Sequence, residues 1–228
     1  MSRSVEQLAN RQFLRWMEQQ KVTSKREQSE ASEQKPMISV SREYGARGAE
    51  VGKLVAARLG FQFHSQELVH EVAKQARVRQ QLVASLDERA RDDIEQWVSE
   101  LMDEGAFSPT DYLRNLTKVI LSLGRHGKGV VVGRGSQYIL DPKRTLRIRA
   151  YAPLDARVRR IATRDALSRS DARSKILRID SERMAFYRQH FDRDHSAPHD
   201  YDLMLNTSTL SIDACVDMVV RAYRARFR

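Results

Sequence analysis

Cysteine is almost missing from this chain. Cys215 is the only one in 228 residues, so an intramolecular disulfide is excluded and a reducing, cytoplasmic setting is expected. No apolar run approaches the ~18 residues that a membrane-spanning helix needs, and no secretory leader pattern opens the sequence. No membrane association is expected. The chain shows no internal repeat. What it has in excess is positive charge: 40 Lys and Arg against 30 Asp and Glu give a formal +10, which points to an anionic partner. Nucleic acid, nucleotide phosphates and acidic lipid all qualify. Arg outnumbers Lys more than threefold, which suits bidentate phosphate contacts; genome composition is the plainer explanation of the same bias. Nucleic acid ranks last, because the basic residues spread over many elements and no helix-turn-helix or stacking motif is visible.

The length suits one domain with an appendage. Val5, Leu8, Phe13, Leu14, Trp16 and Met17 recur at helical spacing, so residues 4–20 should form a helix whose stripe needs a partner surface. Residues 21–36 are polar, highly charged and nearly without large apolar groups, as a linker is. The stripe over residues 5–17 then packs on the domain or on a second chain, either a copy of this one or another partner.

From Met37 the pattern alternates. "MISV", "FQFH", "GVVVG", "LRIRAY" and "YDLMLN" read as five strands, and helices are predicted between them and from Ser211 to Tyr223. Three helical patterns fill residues 66–126. Two more helices are expected at about 154–167 and 172–190. Apolar runs this short, separated by helices, suit a parallel sheet covered on both faces. The fold class is therefore α/β, with a helical insertion (about 65–127) between the second and third strands.

Ligands of such sheets sit beyond the carboxyl ends of the strands. The loop that follows "MISV" comprises Ser41, Arg42, Glu43, Tyr44, Gly45, Ala46, Arg47, Gly48, Ala49 and Glu50. Its glycines allow backbone N–H groups to turn inward, and the following helix N-terminus adds positive potential for phosphate. The full phosphate-loop pattern G-x-x-x-x-G-K-[ST] is nevertheless absent. Lys53 comes too late: it is expected more than a turn into the helix, pointing away from the loop. Either Arg42 or Arg47 could supply the missing charge, or be a solvated loop arginine.

Taken together, "ISVSREYGARGAEVGKLVAARLGFQFHSQELV", "VVVGRGSQYIL", "RIRAYAPLDARVRRI" and "YDLMLNTSTLSIDACVDMVV" resemble the cytidylate kinase-like family, a divergent branch of the P-loop nucleoside monophosphate kinases. The resemblance spans about residues 37–223. It implies a P-loop kinase-like five-stranded parallel sheet with an arginine lid (about 168–200). It also implies transfer of the γ-phosphoryl group of ATP, with Mg2+, to CMP, dCMP or a related monophosphate. On that resemblance Ser41–Glu50 holds the ATP phosphates, Ser65, Gly133 and Arg134 bind the acceptor, Arg157 and Arg160 serve the ATP side, and Arg47, Arg183 and Arg188 are catalytic.

The chain departs from the family pattern at five places. Arg47-Gly48 stands near the usual Gly-Lys, and Ala49-Glu50 stands where Gly or Ser precedes Thr. His64 and His70 replace an Asp and an Arg of the acceptor side, and Gly135 replaces the Asp of Gly-Arg-Asp. A nucleotide-binding regulatory module that no longer catalyses is the rival reading. Ser65 reads equally as a helix N-cap, and Arg134 as a member of a structural ion pair. His195 and His199, with Asp192, Asp194 and Asp200, have metal-ligand spacing only on a helix. Pro198 argues instead for a polar return loop.

Overall fold

The computed structural model describes residues 36–86, 88–103 and 110–227. The expected N-terminal helix and most of its linker lie outside these. The elements run β1 (Met37–Arg42), α1 (Gly48–Leu59), β2 (Gln62–His64), α2 (Gln66–Lys74), α3 (Ala76–Ala84), α4 (Glu88–Asp103) and α5 (Asp111–His126). They continue with β3 (Gly129–Val132), α6 (Ser136–Ile139), β4 (Thr145–Tyr151), α7 (Leu154–Asp165), α8 (Arg169–Phe191), β5 (Leu203–Asn206) and α9 (Ile212–Arg226).

The strands form one sheet in the order β2-β3-β1-β4-β5, and every neighbouring pair is parallel. Successive strand residues face opposite sides, and the two cores follow from that. Ile38, Val40, Val130 and Val132 pack with Val51 and Val55 of α1 and with Val216 and Val219 of α9. Met37 and Val131 face the other layer, which holds α2 to α5 and the end of α8. Each Val or Ile fully buried in this way contributes roughly 1.5–3 kcal/mol. The fully buried Leu113, Leu116, Val119 and Ile120 make α5 the centre of the second layer.

Residues 66–103 and 110–126 hold four helices where periodicity predicts three patterns. The additional one, α3, buries Val78 and Leu82 among Arg79, Gln80 and Gln81, too sparse a stripe to be read alone. Because β1 is central, the chain leaves its carboxyl end between neighbours that connect in opposite directions. A crevice opens there, as parallel sheets dictate.

Candidate functional site

The loop after β1 is built by ties to its surroundings. The Glu43 carboxylate accepts the Ala152 N–H at 3.1 Å and lies 3.8 Å from Arg149 and 3.4 Å from Arg157. The Tyr44 N–H donates to Asp180 of α8 at 2.9 Å. Gly45 has φ +83°, and a Cβ there would come within 3.1 Å of Ile161 and 3.2 Å of the Arg157 Cβ. Close packing and left-handed backbone both require glycine. The carbonyl of Ala46 accepts the Thr207 hydroxyl at 2.9 Å.

Helix α1 begins without a capping side chain. Ser65, Thr110, Ser168 and Ser211 each cap their helix by accepting a backbone N–H at 3.1–3.2 Å. Arg47, the N-cap of α1, is left-handed at φ 57° and makes no such bond. The first-turn residues Gly48, Ala49 and Glu50 instead border a cavity of about 800 Å³. Open N–H groups and the helix dipole favour an anion at such a place. The Arg47 guanidinium is bound to Glu50 through two 2.7 Å hydrogen bonds on the exposed rim. Its charge is largely matched there.

Arg42 is placed differently. Its Nη2 donates to Gln66 Oε1 at 2.6 Å, and its Nη1 lies where a side chain on Gly133 would be, 2.2 Å from a hypothetical Cβ. Burial, and then the neighbouring Arg183, push its pKa down to about 10. Arg183 donates to the Arg42 carbonyl at 3.2 Å and lies over the Tyr44 ring at 5.6 Å; burial lowers its pKa as well. Arg134, left-handed at φ 57° between Gly133 and Gly135, lies over Phe186 at 5.5 Å. Its Nε is buried and has no hydrogen-bond partner. Gly135 cannot carry a side chain, because a Cβ would fall 2.1 Å from the Phe191 ring.

A second cavity, of about 220 Å³, lies among Gln66, Arg134, Phe186 and Tyr187. Arg42 and Arg183 line both cavities. No carboxylate among the described residues pairs with Arg42 or Arg134. Several like charges held together and partly shielded from water are unfavourable, and an anion bound among them would relieve that.

The other residues marked by the sequence take varied positions. Ser65 caps α2. Arg157 is buried beneath the loop, donating to the carbonyls of Ala152 and Tyr44 and pairing with Asp180 and Glu43. Arg160 borders the larger cavity and donates to Thr207 Oγ1 at 3.1 Å and to the Gly45 carbonyl at 3.4 Å. Arg188 is exposed and borders neither cavity. It follows Arg183 by five residues, a turn of about 140° around the helix. Lys53 is exposed on α1. His195 is buried, its ring stacked on Tyr187 at 4.5 Å, and its carbonyl accepts from Arg149. No group of three metal-holding side chains occurs among the described residues, and the return loop carries a 3-10 turn at Pro198–Asp200.

Sequence reasoning does not single out Gln66, Asp180, Phe186 or Tyr187. The aromatic pair stands inside "SERMAFYRQHF" and could have been noticed there. Asp180 carries no such signal, because its partners are 136 and 23 residues away.

The family model described as the cytidylate kinase-like family matches residues 37–209. A cytidylate kinase of Ignicoccus hospitalis is 23% identical over 185 residues, covering 81% of this chain and 97% of that protein. A uronate isomerase of Corynebacterium glutamicum is 30% identical over 115 residues, half of this chain but only 22% of the isomerase. Among solved structures, an uncharacterized protein from Eubacterium ventriosum superposes with a TM-score of 0.58 at 18% identity, covering 84% of this chain and 99% of that one. That likeness shows a shared fold. With the family match spanning most of the sequence, this chain belongs to the cytidylate kinase-like family.

Proposed function

We propose that the protein transfers the γ-phosphoryl group of ATP to a nucleoside monophosphate, with CMP or dCMP the first acceptor. The observation that carries this reading is the pair of cavities sharing Arg42 and Arg183. A donor and an acceptor nucleotide must meet head to head, and positive charge must concentrate where their phosphates meet. The larger cavity, with the loop and Arg160, takes ATP. The smaller, with Arg134 reaching in beside Phe186, takes the acceptor phosphate.

Arg42 replaces the missing lysine in this scheme. It projects from the end of β1, where pairing with β4 fixes the backbone, whereas Arg47 is engaged by Glu50. Arg183 belongs to α8, the lid, which Asp180 and Arg157 fasten to the loop. Such chemistry needs no covalent nucleophile. It needs positioned charges that hold the transferring group while the acceptor oxygen approaches in line.

Magnesium fits with an altered donor set. The usual hydroxyl is lost at Ala49-Glu50, but Mg2+ is commonly held by one or two carboxylates together with substrate phosphates and water. Glu43, Glu50 and Glu67 line the larger cavity; Glu43 is held by Arg157 and Glu50 by Arg47, so exposed Glu67, which interacts electrostatically with Arg42 and Arg183, would be the carboxylate to hold it. The ion would neutralise phosphate charge.

The test is ATP-dependent phosphorylation across a panel of ribo- and deoxyribonucleoside monophosphates. Turnover with a cytidine nucleotide as the best acceptor is expected. Nucleotide binding without turnover of any monophosphate would replace the enzyme with a regulatory binding module. Absence of both would remove both readings.

A further inference from the structure

Beyond the Phe186 wall of the smaller cavity lies a cluster that the phosphate chemistry leaves unused. Gln66 and His70 are one turn apart on α2, and Phe186 and His190 are one turn apart on α8, so each pair shares a helix face. The Tyr112 hydroxyl of α5 is 2.7 Å from His70 Nδ1. The Tyr112 and His190 rings are 6.3 Å apart, and the His190 and Phe186 rings 4.7 Å. From Arg183 to His190 the helix rises about 10 Å, a length of the same order as a nucleotide from phosphate to base.

Two buried polar atoms in this small region lack partners, Arg134 Nε and His190 Nδ1. Native interiors rarely leave such atoms unsatisfied, so each calls for an explanation. His190 is 9% exposed, whereas His70 and Tyr112 are only partly buried and so reach solvent.

We infer that His70 and Tyr112 form the base-reading end of the acceptor site, presenting one N–H donor to a carbonyl oxygen of the acceptor's pyrimidine ring. The inference rests on the acceptor assignment proposed above.

The protonation states support it. Burial and the Arg134 guanidinium bring the His70 pKa down to about 4 and also lower that of His190. Burial raises the pKa of Tyr112. Both imidazoles are therefore neutral near pH 7, and the phenol keeps its proton. The 2.7 Å contact admits either tautomer of His70; the one that serves base reading has the phenol O–H donating to Nδ1 and the ring hydrogen on Nε2. A neutral donor among aromatic edges suits an uncharged planar heterocycle better than a phosphate. Where the family resemblance implies an arginine, this chain has an imidazole, which unlike a guanidinium is neutral in the ligand-free site.

Calorimetric titration of the full chain with CMP and with ribose 5-phosphate tests this directly, because the second ligand has no base. Wild type should bind CMP more tightly. His70→Ala should weaken CMP by about 10-fold, the loss of one buried hydrogen bond, and leave ribose 5-phosphate unchanged. Tyr112→Phe should show the same selectivity with a smaller loss. Arg134→Ala should weaken both ligands together. If the His70 and Tyr112 variants weaken both ligands equally, or neither, base reading is wrong, and a monophosphate kinase would still stand on its turnover. If CMP binds with the predicted selectivity but is never phosphorylated, the kinase reading falls and base reading stands. If wild type binds neither ligand, both are lost.

Discussion

Replacing Gly133 by alanine would separate backbone strain from displacement of Arg42. Gly133 has φ +76°, where an alanine costs roughly 1–2 kcal/mol. The lower entropy of the unfolded alanine chain returns about 0.4–1 kcal/mol. The added methyl would stand 2.2 Å from Arg42 Nη1 and 3.3 Å from Gln66 Oε1. Both are ends of flexible side chains, so the guanidinium swings away and the backbone stays. The net loss of stability is then about 1 kcal/mol, or roughly 2–4 °C in Tm for a chain this long. Gly60 supplies the control. Its φ is +68° and a Cβ there meets nothing within 4 Å, so Gly60→Ala should show a similar loss in a thermal melt. Only Gly133→Ala should weaken CMP, by about 10-fold or more, because only that variant moves a charged donor. CMP affinity at the wild-type level in Gly133→Ala would refute a binding role for Arg42.

Arg183→Ala should lose mainly kcat, about 100-fold, since Arg183 lines both cavities and so stands where the proposed transfer would take place; Arg188→Ala should stay within about threefold of wild type in the same assay. Asp180→Ala should cost about 1–2 kcal/mol in urea denaturation, because the Tyr44 N–H and Arg157 both lose a charged partner that is itself partly solvated. Acid should destabilise the fold through its histidines. Burial holds His64 neutral with a pKa of about 4, below the unfolded value of about 6.5. The unfolded chain therefore binds more protons between these values, and the His64 contribution is complete above about pH 6.5 and lost as pH falls toward 4. Its slope is at most about 1.4 kcal/mol per pH unit, and urea midpoints of His64→Gln should show a shallower acid limb than wild type.

Much of the fold was legible because its signals are local. Short apolar runs between helical patterns, "GVVVG" the clearest, marked the strands, and Gly60 marked the end of α1, whose residues 57 and 56 accept the Gly60 N–H. Helix α3 was not legible, since Val78 and Leu82 take their meaning from α2 and α5 rather than from periodicity. The loop was found by its place after β1, but the sequence left Arg42 and Arg47 equivalent. What separates them is tertiary. Arg42 is still in register with Ala150 of β4 and meets Gln66 across the crevice, while Arg47 turns left-handed and meets its own helix. Likewise Arg183 and Arg188 look alike in one basic helix until the turn of that helix sends only the first toward the loop.

The identity of the cation that serves the phosphate loop is tested most directly by titrating ATP calorimetrically into Arg42→Ala and Arg47→Ala, each compared with wild type. Arg42→Ala should bind ATP about 10- to 100-fold more weakly, as loss of a charged phosphate contact does, while Arg47→Ala should remain within about threefold, its exposed pair with Glu50 contributing little. Unchanged affinity in Arg42→Ala, with the loss appearing in Arg47→Ala, would contradict the placement of the phosphates at the junction of the two cavities.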